Sequence, residues 1–285
     1  MRIGKTICAR ASAFDSSALR RHTRGLGRLR LVPLLSHFYM IPFQNLAQVR
    51  TPDGSLISLH EHDGEFFMKH NGRQLMSTSA TSSELLLADL GCAELAGRPN
   101  PRILIGGLGL GFTLKRVLEI AGPTATVHVA ELFPEVVEWN RQFLGALNGA
   151  LLNDHRVKVL VEDVFESIRR AADARYDVIL LDVDHTPASL VQAGNARLYA
   201  RHGYELLAKA LRVGGRAAYW SAGEEPDFVA RLTQAGFEVK TFEAKAHERA
   251  KRAAHRIYVA MRAVAERPGA AAKVRGPGFT RPKQR

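Results

Sequence analysis

The chain has 285 residues and a formal net charge of +12, enough length for one large domain or for one domain with an appendage. No apolar run approaches the ~20 residues of a membrane span, and two cysteines, Cys8 and Cys92, form neither a metal-ligand spacing nor a disulfide framework, which favours a cytoplasmic location. Residues 1–45 and 264–285 hold fourteen of the 40 Lys and Arg residues but two of the 28 acids, so the rest of the chain is neutral. A dedicated nucleic-acid binder is therefore disfavoured, and the ends are expected to bind nucleic acid only weakly.

The first and last segments are predicted to be disordered. Residues 1–40 are rich in Arg and Ser and poor in acids, which predicts a disordered basic extension. An organellar transit peptide has the same composition, and a misassigned start with Met40 as the initiator explains it as well. Pro, Gly, Ala and Arg dominate from Val264 onward, so a disordered basic tail is predicted over 264–285.

Residues 41–80 are predicted to form a small antiparallel sheet. Asp63-Gly64 and Asn71-Gly72 separate short β-rich runs, and these dipeptides are strong signals for tight hairpins. The predicted strands are Leu46–Arg50, Ser55–Glu61, Glu65–His70 and Arg73–Ser77. Ser82 or Ser83 is then expected to cap a helix that ends near Gly97.

The stretch from Arg102 to Glu131 is predicted to bind a nucleoside. A buried apolar run enters a glycine-rich turn, a helical pattern follows, and a second β-branched run ends at Glu131, twenty residues beyond Gly111. This is the order of a βαβ unit that binds a nucleoside at the carboxyl ends of its strands. The glycines let the backbone approach the ligand, and the acid can accept hydrogen bonds from the ribose hydroxyls.

The spacing of the glycines separates classes of nucleotide. A dinucleotide fingerprint G-x-G-x-x-G fails because its third glycine would fall at Phe112 or Leu114. No lysine followed by Ser or Thr comes after the glycines, so a phosphate-binding P-loop is excluded. The observed G-G-x-G-x-G is typical of the S-adenosylmethionine-dependent transferase fold, and a turn that merely joins strand to helix is the alternative.

Further strands alternate with helices over residues 81–263. They are predicted at Val157–Val161, Tyr176–Leu181, Gly215–Trp220, Phe237–Ala246 and Arg256–Arg262, the last two forming a hairpin. The expected fold is α/β: a doubly wound, mostly parallel seven-stranded methyltransferase-like sheet with an antiparallel last strand, preceded by the small N-terminal antiparallel β domain.

From Leu46 to Arg262 the sequence resembles the spermidine synthase-like (polyamine aminopropyltransferase) family. The small β domain before such a sheet, and the segments 176–182 and 210–215, carry the resemblance. It implies an aminopropyl transfer to an amine, with decarboxylated S-adenosylmethionine as co-substrate and no metal. It also implies a possible homodimer through the N-terminal sheet.

The resemblance also implies which residues bind the nucleoside. Glu131 would hold the ribose and Asp163 would lie near the adenine amine, although Asp163 could simply cap the following helix. The loop glycines that would lie at the nucleoside are Gly106, Gly107, Gly109 and Gly111.

The loop after the strand 176–181 supplies the candidate catalytic residues Asp182, Asp184 and His185. Acids at this sheet edge can bind and deprotonate an amine, and a histidine titrates near neutrality. Each could instead only order the loop. The family has an aspartate where this chain has Gly109 and another where it has His185, and Ser82-Ser83 replaces its Tyr-His.

These departures leave other functions open. The hairpin between the last two strands is basic and is expected on the ligand side of the sheet, where it would attract an anion. Its cationic or titratable residues are Lys245, His247, Arg249, Lys251, Arg252, His255 and Arg256. Methyl transfer from S-adenosylmethionine to an unknown, possibly anionic substrate is therefore one alternative, and a non-catalytic nucleoside-binding scaffold is another.

Overall fold

The computed structural model describes residues 42–171, 176–183, 186, 190 and 193–262. The extensions predicted to be disordered, 1–40 and 264–285, lie outside the described residues, so those predictions stay open. Within the described part of the chain, no helix is long and apolar enough to cross a membrane.

The N-terminal sheet has four antiparallel strands in sequential order, as predicted. They are β1 (Gln44–Arg50), β2 (Leu56–His62), β3 (Glu65–His70) and β4 (Arg73–Ser77). Asp63 and Asn71 adopt φ angles of 50° and 49°, and the glycine after each has φ of 79°. Two consecutive positive φ angles are what a tight type I′ hairpin requires, which explains the Asp-Gly and Asn-Gly pairs.

Helix α1 (Ser82–Cys92) joins the two sheets and corrects two expectations. It ends at Cys92 rather than near Gly97, and the residue before its first turn is Thr81, with no side-chain cap from Ser82 or Ser83. The backbone N–H of Ser82 donates to the carbonyl of Ala246 instead, at 3.2 Å. A carbonyl from a loop distant in sequence thus accepts a hydrogen bond from a backbone N–H in the first turn of the helix. No local sequence pattern could reveal this contact.

Among the described residues, the second sheet has seven strands in the order β10-β11-β9-β8-β5-β6-β7. Strand β11 pairs antiparallel with both β10 and β9, and the remaining pairs are parallel. The strands are β5 (Arg102–Gly106), β6 (Thr126–Glu131), β7 (Val157–Val161), β8 (Tyr176–Leu181), β9 (Leu211–Ser221), β10 (Phe237–Ala244) and β11 (His255–Arg262). The predicted fold class is therefore confirmed, including the closing hairpin.

Helices cover both faces of this sheet. They are α2 (Phe112–Ile120), α3 (Pro134–Gln142), α4 (Gly145–Asn148), α5 (Val164–Arg170), α6 (Arg201–Ala210) and α7 (Pro226–Gln234), with 3₁₀ segments at Leu151–Asn153 and Ala193–Tyr199. One apolar core joins α1, α2 and α3 to the N-terminal sheet, and a second joins α5, α6 and α7. The carboxyl ends of the parallel strands emerge between these two layers, where ligands of doubly wound folds bind.

Candidate nucleoside and acceptor site

A cleft lies at the carboxyl ends of β5, β6, β7 and β8, and β2, β3 and β4 of the N-terminal sheet cover it. It holds about 980 Å³ of space, part of it open to solvent. The covering sheet contributes apolar side chains, whereas the strand ends contribute acids and glycine backbone. The lining residues are Ile57, Met68, Leu75, Met76, Glu84, Gly107, Gly109, Ala130, Glu131, Leu132, Phe133, Val136, Glu162, Asp163, Val164, Asp182, Val183, Asn195 and Trp220.

Glu131 ends β6 and faces this cleft with 6% of its surface exposed. Its Oε2 accepts a hydrogen bond from the N–H of Leu108 at 2.8 Å, and its Oε1 accepts from the N–H of Phe133 at 2.9 Å. Burial raises the pKa of the Glu131 carboxyl, while these backbone N–H groups oppose the rise. The carboxylate therefore orders the glycine loop, and its place in the cleft wall brings it within reach of a ligand.

The backbone of Gly107 and Gly109 forms part of the cleft wall. Gly107 has φ of 89°, and a Cβ there would lie 2.5 Å from the carbonyl oxygen of Asp182. Gly109 has φ of 51°, and a Cβ there would lie 2.8 Å from the sulfur of Met76. Gly107 therefore needs glycine for its backbone conformation and for space, because the close atom is backbone. At Gly109 the positive φ favours glycine, whereas the Met76 side chain could move aside.

Gly106 and Gly111, also predicted at the nucleoside, lie behind the wall. A Cβ at Gly106 would meet the Val164 side chain at 2.8 Å, so this glycine lets β5 pack against α5. Gly111 precedes α2 with φ of 87°. Asn140 donates to the carbonyl of Gly109 at 2.8 Å and so holds the loop from α3, a contact that the sequence did not indicate.

Asp163 lines the cleft and also caps α5. Its Oδ1 accepts from the N–H of Phe165 at 2.8 Å, and its Oδ2 lies 2.6 Å from an Arg197 nitrogen. The helix-capping alternative is therefore present in the structure, although it does not prevent Asp163 from also facing a ligand. Glu162, beside it, is paired with Arg170.

Asp182 follows β8 in the same cleft, across the glycine loop from Glu131. Its N–H donates to the carbonyl of Gly106 at 3.1 Å, which fixes its backbone beside the loop. Burial, and then the nearby charge of Glu84, raise the pKa of the Asp182 carboxyl to about 8. The other two candidate catalytic residues, Asp184 and His185, lie outside the described residues and remain predictions.

Glu84 and Trp220 also line the cleft. Glu84 lies in the first turn of α1 with 9% of its surface exposed, and burial raises the pKa of its carboxyl while the Ser83 hydroxyl opposes the rise. Sequence reasoning missed it, because an acid in the first turn of a helix is ordinarily explained by the helix dipole. Trp220 lines the cleft, whereas its neighbour Tyr219 lies in the core, with 1% of its surface exposed.

The basic hairpin lies at this same edge of the sheet. Strand β10 is parallel to the central strands because β11 is antiparallel to both β10 and β9. The loop after β10 therefore projects on the ligand side, as predicted, and its Ala246 carbonyl contacts Ser82 at the start of α1. Within the hairpin, Arg256 forms an ion pair with Glu243 at 3.2 Å.

The fold defines an α/β domain of the methyltransferase type, with a small β-sheet over the cleft at the carboxyl ends of its strands. Residues 88–226 match the model of the spermine/spermidine synthase domain. The match spans just under half of the chain, and over this segment it confirms the resemblance found in the sequence.

Curated relatives agree with this assignment. A polyamine aminopropyltransferase of Pyrobaculum calidifontis is 30% identical over 158 residues, which are 51% of this chain and 52% of the relative. Polyamine aminopropyltransferase 2 of Streptomyces coelicolor is 36% identical over 124 residues, 43% of this chain and 22% of the relative. The chain thus matches about half of the first relative's length and under a quarter of the second's.

Solved structures share the fold. A spermidine synthase in complex with the transition-state analogue AdoDATO superposes with a TM-score of 0.59 at 17% identity, covering 77% of this chain and 72% of that one. Spermidine synthase from Thermotoga maritima gives a TM-score of 0.58 at 17% identity, with 77% and 73% covered.

Proposed function

We propose that the chain is an aminopropyltransferase that moves a group from an adenosyl sulfonium nucleoside to an amine. The observation that carries the proposal is that the Glu131 carboxylate and the Asp182 carboxyl line one cleft from the ends of β6 and β8, the strands on either side of β5. Glu131 is suited to accept hydrogen bonds from a ribose, and Asp182 is suited to accept a proton. The curated relatives named above are polyamine aminopropyltransferases, which supports this choice of reaction.

The nucleoside would lie along the glycine loop. Glu131 would accept hydrogen bonds from the two ribose hydroxyls, and the backbone of Gly107 and Gly109 would contact the sugar and the sulfonium side. Asp163, at the end of β7, would accept from the adenine amine. Decarboxylated S-adenosylmethionine is the proposed co-substrate.

The proposed reaction is a direct displacement at the carbon bound to sulfur. The acceptor enters as an ammonium ion, and Asp182 takes one proton, which leaves a lone pair on nitrogen. That pair forms the new C–N bond while the C–S bond breaks and its electrons pass to sulfur, giving neutral methylthioadenosine. The product remains a protonated secondary amine, and Asp182 releases its proton to water.

The raised pKa of Asp182 suits it to this role. Burial and Glu84 make this carboxyl hold a proton more tightly than an ordinary aspartate does. A bound ammonium ion favours its ionised form, which can then take a proton from the acceptor. The cleft also excludes part of the solvent, because Met68, Met76 and Trp220 enclose it. Asp184 and His185 remain proposed contributors to the acceptor side.

Methyl transfer to an anionic acceptor is the second candidate, and the basic hairpin favours it. The hairpin is on the ligand side and contacts α1 beside Glu84. Its cations would attract an anion and repel a polyamine, more weakly at high salt. A homodimer through the N-terminal sheet and a cytoplasmic location, the latter from cysteine usage, are part of the proposal as well.

Product analysis tests the proposal. The protein is incubated with decarboxylated S-adenosylmethionine or with S-adenosylmethionine, and with 1,3-diaminopropane, 1,4-diaminobutane, n-butylamine or a triamine. We expect methylthioadenosine and an aminopropylated amine from the decarboxylated nucleoside. S-adenosylhomocysteine from the other nucleoside would support the methyl-transfer candidate, and the absence of product and of nucleoside binding would contradict both.

A further inference from the structure

Glu84 and Asp182 differ from the other acids of the cleft in the groups that pair with them. Asp163 is paired with Arg197, Glu162 is paired with Arg170, and Glu131 accepts from backbone N–H groups. Among the described residues, neither Glu84 nor Asp182 forms an ion pair with a Lys, Arg or His. Both nevertheless line the cleft and interact electrostatically with each other.

Such a pair is unfavourable without a cation. Glu84 has 9% of its surface exposed, and its hydrogen bond, from the Ser83 hydroxyl to Oε2 at 2.7 Å, leaves acceptor capacity on both oxygens. Two carboxyls in a partly dry cleft repel each other when both are ionised, so one of them keeps its proton. A cationic ligand between them would allow both to ionise.

An ammonium group fits this arrangement. It carries one positive charge and three N–H donors, so it can donate to both carboxylates at once. The adjoining wall is apolar, with Ile57, Met68 and Met76 from the N-terminal sheet, and can cover the carbon chain of an alkylamine.

We propose that Glu84 binds the amine nitrogen of the acceptor together with Asp182. This deepens the proposed function and rests on it, because it assigns a second carboxylate to the acceptor subsite. In this arrangement Asp182 takes the proton and Glu84 holds the nitrogen in line with the sulfonium carbon. The basic hairpin then limits how much further positive charge the acceptor can carry beyond this subsite.

A structural role for Glu84 makes the opposite prediction about stability. An acid in the first turn of α1 that only favours the helix dipole should destabilise the protein when neutralised. An acid that shares the cleft with Asp182 and repels it should do the reverse, because its neutralisation removes this repulsion. Glu84→Gln therefore separates the two roles, since it keeps shape and hydrogen bonding while removing charge.

The test compares wild type, Glu84→Gln and Glu84→Asp, with Asp89→Asn as a matched control. Asp89 is on the same helix, and its contact is a surface ion pair with Arg116. The substrates are decarboxylated S-adenosylmethionine and the most active amine of the panel above. We expect Glu84→Gln to raise the KM for the amine about 10- to 100-fold, with a smaller change in kcat. We expect Glu84→Asp to recover part of this loss and Asp89→Asn to behave as wild type.

Three further measurements accompany the kinetics. The affinity for methylthioadenosine should be unchanged in Glu84→Gln, and the melting temperature should hold or rise. Calorimetry at pH 7 in buffers of different ionisation enthalpy should show proton release when the amine binds to wild type, because a bound cation lowers the pKa of the acid pair. Glu84→Gln should release fewer protons than wild type when the amine binds.

The outcomes distinguish the two proposals. An unchanged amine KM in Glu84→Gln, in a protein that turns over and binds the nucleoside, would overturn the role of Glu84 alone. A marked loss of melting temperature with no selective effect on the amine would assign Glu84 a structural role. If wild type binds methylthioadenosine but uses no amine, the acceptor assignment and the role of Glu84 both fail, while nucleoside binding stands.

Discussion

At the scale of single residues, Glu131 links the glycine loop to the proposed ribose site. Its two carboxylate oxygens accept hydrogen bonds from the N–H of Leu108 on the loop and of Phe133 after β6, so the acid ties these two segments of the cleft wall together. Its position was predictable because a charge that ends a buried strand needs partners. The partners themselves are backbone groups, which sequence patterns do not specify.

Glu131→Ala should weaken nucleoside binding. Loss of a buried acceptor from two ribose hydroxyls should cost about 2–4 kcal/mol, or roughly 30- to 1,000-fold in Kd. Titration calorimetry with methylthioadenosine checks this, with Glu138→Ala as control because Glu138 is on the exposed side of α3. Equal affinities of the Glu131 variant and wild type would exclude the ribose role.

Asp182 should make stability depend on pH. Its pKa is raised from 3.8 to about 8, so the folded protein binds the proton more tightly than the unfolded chain does between these values. The contribution to stability is therefore present at acid pH and is lost as the pH rises through about 8. Relative to Asp182→Asn, wild type should lose up to about 1.4 kcal/mol per pH unit within this window. Urea unfolding of both proteins from pH 5 to 9 measures the difference, and parallel curves would contradict the shifted pKa.

At the scale of elements, the strands and their order follow well from sequence because period-2 patterns and turn dipeptides are local signals. Strands β7 and β8 were predicted with their observed bounds, as were β3 and β4. The start of α1 was not predicted correctly, because its first backbone N–H donates to the Ala246 carbonyl of a distant hairpin. Glu84 was missed for a related reason, since its proximity to Asp182 depends on how α1 packs on the sheet.

The glycine loop gives an element-scale prediction. Gly107→Ala combines a φ of 89° with a Cβ 2.5 Å from a carbonyl oxygen, so the loop must shift. We expect a loss of about 1–3 kcal/mol in unfolding free energy from the backbone strain alone, together with weaker methylthioadenosine binding. Gly122→Ala is the control, because a Cβ there has no atom within 4 Å. Wild-type stability and affinity in the Gly107 variant would show that the loop does not depend on this contact.

At the scale of the whole molecule, the two sheets and the linking helix share one cleft, and the net charge lies elsewhere in the sequence. Residues 46–263 carry equal numbers of basic and acidic residues, whereas the ends are basic. The composition therefore predicted a neutral folded part. The contacts that build the site from both sheets could not be derived from composition, because they depend on tertiary packing.

A fragment of residues 41–263 tests this organisation. It should melt within a few degrees of the full chain, because the removed segments are predicted to be disordered. It should also lose salt-sensitive retention on heparin, since such retention comes from clustered basic charge. Insolubility or a much lower melting temperature would show that the ends contribute to the folded structure.

The most direct test of the account is the Asp182→Asn variant, assayed for turnover and for nucleoside binding in the same preparation. Asp182 is proposed to take the proton of the acceptor amine, whereas Glu131 and the glycine loop hold the nucleoside. Turnover with decarboxylated S-adenosylmethionine and the best amine should fall about 10²- to 10⁴-fold, the range for loss of a general base. The Kd for methylthioadenosine should stay the same. Full activity in Asp182→Asn would contradict the proposed mechanism.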